Sequence, residues 1–143
     1  MRALFLRIID IFLSLIILLI TIPFISISLL LVYLNDFKNP FYISERVGKN
    51  FRIFKIFKIR TMIKNADKYK IDSTSEKDFR LTKVGKLIRK YKLDEFLQFF
   101  NVLIGNMSIV GPRPNVIREV NLYTDEEKFL LSKNPGITDP SSI

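Results

Sequence analysis

The chain has 143 residues and contains no cysteine, no histidine and no tryptophan. That excludes disulfide scaffolds, thiol nucleophiles, zinc fingers and any mechanism built on imidazole, and leaves catalysis to Asp, Glu, Lys, Arg, Tyr, Ser or Thr. The excess of 23 basic over 14 acidic side chains, a net +9, points to a polyanionic partner. The charge is unevenly placed: residues 1–37 are neutral, residues 38–93 carry 17 basic and 5 acidic groups for +12, and residues 94–143 carry 4 and 7 for −3.

Residues 11–34 form an uncharged run rich in Leu, Ile and Phe. As a straight helix they reach ~36 Å, more than the ~30 Å bilayer core, and show no polar stripe of a buried soluble helix. A membrane-embedded helix is expected over residues 1–36. Pro23 sits near the midpoint, where it removes a helical hydrogen bond, and Thr21, Ser26 and Ser28 offer hydroxyls to the freed backbone. Arg2 and Arg7 precede the run and the +12 block follows it, so the positive-inside rule places both ends in the cytoplasm. A re-entrant helix broken at Pro23 meets that demand; an ordinary spanning helix kinked at Pro23 is the alternative. Asp10, at the membrane edge, is expected to pair with a nearby basic group such as Arg7.

Turns are expected at Asn35-Asp36, Asn39-Pro40 and Gly48-Lys49-Asn50. The stretch 51–60 mixes large apolar and cationic residues without strict alternation, so strand and interfacial helix both fit. Its composition suits anionic lipid or single-stranded nucleic acid, and the apolar run ahead of it favours lipid. Residues 64–79 read as a short helix or a mobile loop. Val84, Leu87, Ile88 and Tyr91 then predict an amphipathic helix, with Lys83, Lys86, Arg89, Lys90 and Lys92 on its other side.

Asp94 and Glu95 end a run of seven cations between residues 77 and 92 and precede an apolar segment. Structurally they suit an N-cap and a first-turn acid. Chemically, a helix N-terminus and neighbouring cations would lower the Asp94 pKa and keep it ionised, fit to attack phosphorus. A second carboxylate can hold Mg²⁺ against phosphate oxygens. In Gly111-Pro-Arg-Pro114, two prolines stiffen the backbone around Arg113, whose planar fork suits phosphate. Thr124-Asp-Glu-Glu127 is a capping-box signature for a short helix.

Taken together, these segments resemble the bacterial sugar transferase family, the monotopic phosphoglycosyl transferases. The resemblance is carried by Arg7-Ile-Ile-Asp10, Pro23, Asn39-Pro40-Phe41, Glu45-Arg-Val-Gly-Lys49 and the run 54–62. It continues through residues 81–89, Leu93-Asp-Glu95, Gln98, Asn101, the run 105–114 and Pro135-Gly-Ile-Thr138, in family order. It implies a mainly α fold: a re-entrant membrane helix (1–36) broken at Pro23, then a small α-rich cytoplasmic catalytic domain (37–143) with interfacial helices and little β. The implied reaction moves a sugar phosphate from a UDP-sugar to undecaprenyl phosphate and releases UMP, at the cytoplasmic face of the bacterial inner membrane. Asp94 would take the sugar phosphate covalently and Glu95 would bind Mg²⁺. Lys58, Arg89 and Arg113, together with Arg60, would contact phosphate. Membrane lipids are implied partners, nucleic acid is not, and homodimerisation is left open.

There are departures. Leu97 stands where the family usually has proline, Asn106 replaces a frequent Asp, and the chain ends soon after Pro135-Gly-Ile-Thr138, so a C-terminally truncated catalytic core is expected. A membrane-anchored basic module, or an inactive truncated homologue, is the alternative function.

Overall fold

The computed structural model describes residues 2–66 and 78–139. Most of the stretch 64–79, expected as a short helix or mobile loop, lies outside the described residues, as do residues 140–143.

Helix α1 spans Arg2–Asp36 and is the one described helix long and apolar enough to cross a membrane. The helix bounds continue through Pro23, which lies inside the element. Proline removes one hydrogen bond from a helix, and packing on both sides of it can hold the remaining turns in place. Leu18 and Ile25, which bracket Pro23, are buried in one cluster with Val32, Ile59, Ile88, Leu97 and Phe99. The Thr21 hydroxyl also bonds back to the carbonyl of Ile17 at 2.6 Å.

The buried positions of α1 are Ser14, Leu18, Ile25, Ser28 and Val32, a single stripe at helical spacing. Polar contacts fasten it at both ends. Arg7 donates to the carbonyls of Leu103 (3.1 Å) and Met107 (3.5 Å), and Asp10 accepts from the amide of Ile109 at 3.3 Å. Asp10 thus meets backbone rather than a basic side chain. At the other end Asp36 pairs with Arg60 at 2.6 Å. The rest of the helix surface is exposed Leu, Ile and Phe.

After a turn in which the Asn39 side chain accepts from the Phe41 amide (2.9 Å), β1 (Phe41–Val47) pairs antiparallel with β2 (Ile53–Ile59). The register sets Tyr42 opposite Lys58 and Arg46 opposite Phe54. Two of the expected turns lie outside the strands, at Asn39-Pro40 and at Gly48-Lys49-Asn50, where Asn50 has positive φ and Gly48 donates to the Arg52 carbonyl at 2.8 Å; the third, Asn35-Asp36, is instead the helical end of α1, whose last residue is anchored by Arg60. The 51–60 stretch is therefore largely strand, with Phe54 and Ile56 buried against Val102 and Met107. Strand β1 is an element that the sequence pattern did not reveal, so the β content exceeds expectation.

Helix α2 (Lys83–Lys90) is capped by Thr82, whose hydroxyl accepts from the Gly85 amide at 2.9 Å. Its buried line is Gly85 and Ile88, whereas Leu87 and Tyr91, expected to face inward, are 52% and 60% exposed. The cause is Gly85: a Cβ there would lie 1.8 Å from the Thr61 carbonyl oxygen, so the helix meets Thr61 through its glycine and its inward face rotates. That rotation turns Arg89 inward, where its Nε donates to the Thr61 hydroxyl at 3.1 Å.

Helix α3 (Gln98–Ile104) lies under α1 and guards the free edge of β2. The fully buried Asn101 side chain accepts from the Phe57 amide (3.0 Å) and donates to the Lys55 carbonyl (2.7 Å). Strands β3 (Ser108–Val110) and β4 (Gly136–Thr138) pair in parallel. They bring Gly111 against Gly136, where a Cβ on the latter would lie 2.1 Å from the Gly111 nitrogen. Between them are the short helices α4 (Ile117–Val120) and α5 (Asp125–Lys128), the second opened by the expected Thr124–Glu127 capping box.

Asn101→Ala would leave two strand backbone groups without their buried partner. A loss of about 2–4 kcal/mol follows from the cost of unsatisfied buried groups. Chemical denaturation in detergent micelles should show it, and a loss below ~1 kcal/mol would mean that the strand edge does not depend on this side chain.

Candidate active site

Asp94 lies in a 3-10 turn, Leu93–Glu95, entered through Lys92 in the left-handed region (φ 53°). Helix α3 begins only at Gln98, with no side-chain cap at Leu97, so Asp94 is not the N-cap it resembles in sequence. The tight turn points Asp94 inward, and it is 7% exposed.

Four cations from separate elements converge on this turn. Lys58 from β2 donates to Glu95 Oε1 at 3.1 Å, and Arg113 from the loop after β3 donates to the same oxygen at 3.0 Å. Arg89 comes from α2 and Arg46 from β1. The four line a cavity of about 540 Å³ together with Asp94, Glu95, Lys92, Gln98 and Glu119. A second cavity of about 520 Å³ shares Arg46, Lys58, Arg89 and Asp94 with the first, so Asp94 lies on the wall between them.

Of the residues singled out by sequence, the structure brings together Lys58, Arg89, Asp94, Glu95 and Arg113. Arg60 is placed elsewhere: it is tied to Asp36 and lines only the second, more apolar cavity, beside Phe41, Ile59 and Met62. Arg113 is 63% exposed, with its backbone amide held by Asp139 at 3.4 Å. Sequence reasoning gave no site role to Arg46, Lys92, Gln98, Glu119 or Thr61. Arg46 and Gln98 stand within the motifs quoted above, which was the only signal available for them.

The two adjacent acids are shifted in opposite directions. Burial pushes the Asp94 carboxyl above its ordinary value; Lys58 pulls down, the neighbouring Glu95 pushes up and Arg89 pulls down, with burial prevailing. This corrects the expected lowering, because burial outweighs the cations and no helix N-terminus stands at Asp94. For Glu95 burial also pushes up, but Lys58 and Arg113 overcome it and hold the carboxyl below its ordinary value. The result is a fixed anion beside a carboxylate whose charge is poorly solvated, the arrangement that separates the roles of paired acids.

The family model for "Bacterial sugar transferase" matches residues 1–143. The chain belongs to the bacterial sugar transferase family. It is 37% identical over 119 residues to the UDP-N-acetylgalactosamine-undecaprenyl-phosphate N-acetylgalactosaminephosphotransferase of Aeromonas hydrophila, covering 81% of this chain and 28% of that protein. It is also 37% identical over 152 residues to the undecaprenyl-phosphate galactose phosphotransferase of Salmonella typhimurium, covering 92% of this chain and 31% of that one. Exopolysaccharide production protein ExoY of Sinorhizobium fredii is 36% identical over 144 residues, 90% of this chain and 64% of its own length. The chain therefore spans roughly a third of the first two sugar transferases and about two thirds of the third.

Whether this family member's residues suit a divalent cation can be judged from Glu95. Among the described residues no group of three or more acidic side chains is placed to hold a metal ion. Mg²⁺ needs only one or two carboxylates when substrate phosphates and water complete its shell. Oε1 of Glu95 is engaged by Lys58 and Arg113, no hydrogen bond to Oε2 is seen among the described residues, and the side chain lines the cavity. The donor set fits a metal held jointly with a phosphorylated ligand, not a metal bound by protein alone.

Selective carboxyl-carbon NMR should show Asp94 titrating above the ordinary ~3.9 of aspartate. Lys58→Met removes a cation that favours the ionised form and should move the titration higher still. A midpoint below ~3.9, or a downward move in that variant, would contradict the electrostatics described.

Proposed function

We propose that this chain transfers a sugar phosphate from a UDP-sugar to undecaprenyl phosphate, with Asp94 as the covalent nucleophile. The observation that carries the reading is a buried carboxylate with raised pKa, set beside an ionised carboxylate in a cavity lined by cations. The names of the relatives support the donor and acceptor classes.

An ionised Asp94 oxygen attacks the phosphorus that carries the sugar. The bond from that phosphorus to the bridging oxygen breaks, and UMP leaves with the electron pair. An oxygen of undecaprenyl phosphate then attacks the same phosphorus; the bond to Asp94 breaks and its carboxylate is restored. Poor solvation makes Asp94 reactive once ionised, and the nearby Lys58 and Arg89, with a cation held at Glu95 when one is bound, would favour that ionised form. Arg89, steadied by Thr61, and Lys58 neutralise the phosphoryl oxygens, while Arg113 offers its exposed fork to the diphosphate. Glu95 would hold Mg²⁺, which when bound neutralises charge on the donor diphosphate.

The packing of α1 supports membrane attachment with both helix ends on one face. Arg7 and Asp36 are separated by about 43 Å of helix, yet both are bonded to the same domain. A helix crossing the bilayer upright would carry one of those ends to the far side, away from its partner. We therefore read α1 as re-entrant or lying within one leaflet, at the cytoplasmic face that the +12 block favours. The exposed Leu87 and Tyr91, set among Lys83, Lys86 and Lys90, suit the headgroup layer.

With UDP-sugar and undecaprenyl phosphate, membranes containing this chain should release UMP, and Asp94→Asn should lower the rate roughly a thousandfold or more. Undiminished release by that variant would sink the nucleophile. For topology, single cysteines introduced at Leu4 and Lys49 should react with an impermeant maleimide from the same side of sealed vesicles. Labelling from opposite sides would rule out re-entry.

A further inference from the structure

Arg46 lines both cavities yet has no place in the chemistry above. It stands on β1 opposite Phe54, and Tyr42 on the same strand stands opposite Lys58. Opposed residues in an antiparallel pair project to one face, as do residues two apart. Arg46 and Lys58 therefore share a face of the hairpin, with backbones separated by about 13 Å along the strands.

The cations of the site differ in how far they are engaged. Lys58 and Arg113 are both bound to Glu95, and Arg89 to Thr61. Arg46 is half-buried, and its hydrogen bond is from Nη1 to the carbonyl of its neighbour Glu45, at 3.0 Å. It has no carboxylate partner among the described residues. A half-buried guanidinium without a counter-anion, facing a cavity, is prepared for an anionic ligand and can bind it in a bidentate manner.

Its position assigns the ligand group. Lys58 and Arg89 line both cavities with Asp94, so on the transferase reading they flank the transferred phosphorus. In displacement at phosphorus the attacking and leaving oxygens stand roughly in line. The group that leaves in the first step thus lies beyond the phosphorus, away from Asp94, and the acceptor must later attack from that same place. We propose that Arg46 is the binding residue for this outer phosphate: the phosphate of departing UMP in the first half-reaction and the phosphate of the polyprenyl acceptor in the second. This inference rests on the transferase reading and adds that one side chain serves both substrates.

The test uses the 143-residue chain in nanodiscs, with Arg46→Ala and Arg46→Lys beside the unsubstituted protein, and thermal unfolding to confirm that each is folded. UMP binding by calorimetry is one arm, and binding of a short-chain polyprenyl phosphate to the Asp94→Asn protein, with and without Arg46→Ala, is the other. Arg46→Ala should weaken both by about tenfold or more, the scale of a lost charge-assisted contact, and Arg46→Lys should recover part of each. Unchanged affinity on both arms overturns the proposal, and a loss on one arm alone overturns the shared role. Both arms read binding, not turnover. Absence of UMP release by the unsubstituted chain would count against the transferase reading while leaving the Arg46 result legible.

Discussion

The seam along α1, from Arg7 to Asp36, is the constraint on which the rest of the molecule depends. Its buried stripe packs against β2, α2 and the segment from Leu93 to Phe99, which are the same pieces that deliver Lys58, Arg89 and Asp94. Arg7 fastens the end of α3, and Asp36 fastens the end of β2 through Arg60. An apolar helix that looks like a detachable anchor is thus one wall of the core that sets the site. Because it remains apolar on its other faces, the surface away from the seam is left for lipid. On the proposed reading, the Asp94 turn and the lipid-facing surface are coupled through a single packed layer, as a soluble donor and a lipid acceptor meeting at one carboxylate would require.

Charge within the cavity follows from that placement. Burial raises the cost of ionising both Asp94 and Glu95, but the cations are divided unequally between them. Glu95 receives direct hydrogen bonds from Lys58 and Arg113, which hold its carboxyl below the ordinary value; Asp94 feels Lys58 and Arg89 only at longer range, and burial holds its carboxyl above the ordinary value. Two neighbouring acids in one turn are thereby given different tasks by geometry alone. The mechanism proposed for it would need no histidine: a carboxylate attacking phosphorus gives up no proton, and UMP would leave as an anion beside cations.

Much of this was legible in the residues, and the remainder failed for identifiable reasons. The apolar run, the turns at Asn39-Pro40 and Gly48-Lys49-Asn50, the Thr124 capping box and the convergence of Asp94, Glu95, Lys58, Arg89 and Arg113 were readable from spacing, chemistry and family resemblance. Strand β1 was not, because Phe41–Val47 lacks clean alternation and becomes a strand through its pairing with β2. The inward face of α2 was misread because a close backbone approach at Gly85 outweighed the apolar pattern of Leu87 and Tyr91. The direction of the Asp94 pKa depends on burial, a tertiary property with no local signature. Arg60 looked equivalent to Lys58 until Asp36, 24 residues earlier in the chain, was found to hold it. Asn101 gave no hint in its own neighbourhood that it closes a sheet edge more than 40 residues away.

The central claim is that Asp94 itself becomes bonded to the sugar phosphate. Incubating the chain with a UDP-sugar in the absence of acceptor, quenching in acid and mapping peptides by mass spectrometry reads that bond directly. The account predicts a peptide containing Asp94 heavier by one sugar phosphate, fragmenting with the added mass on that residue, and reverting when polyprenyl phosphate is supplied before the quench. An adduct on any other residue, or UMP formed stoichiometrically with no adduct on the protein, would contradict it.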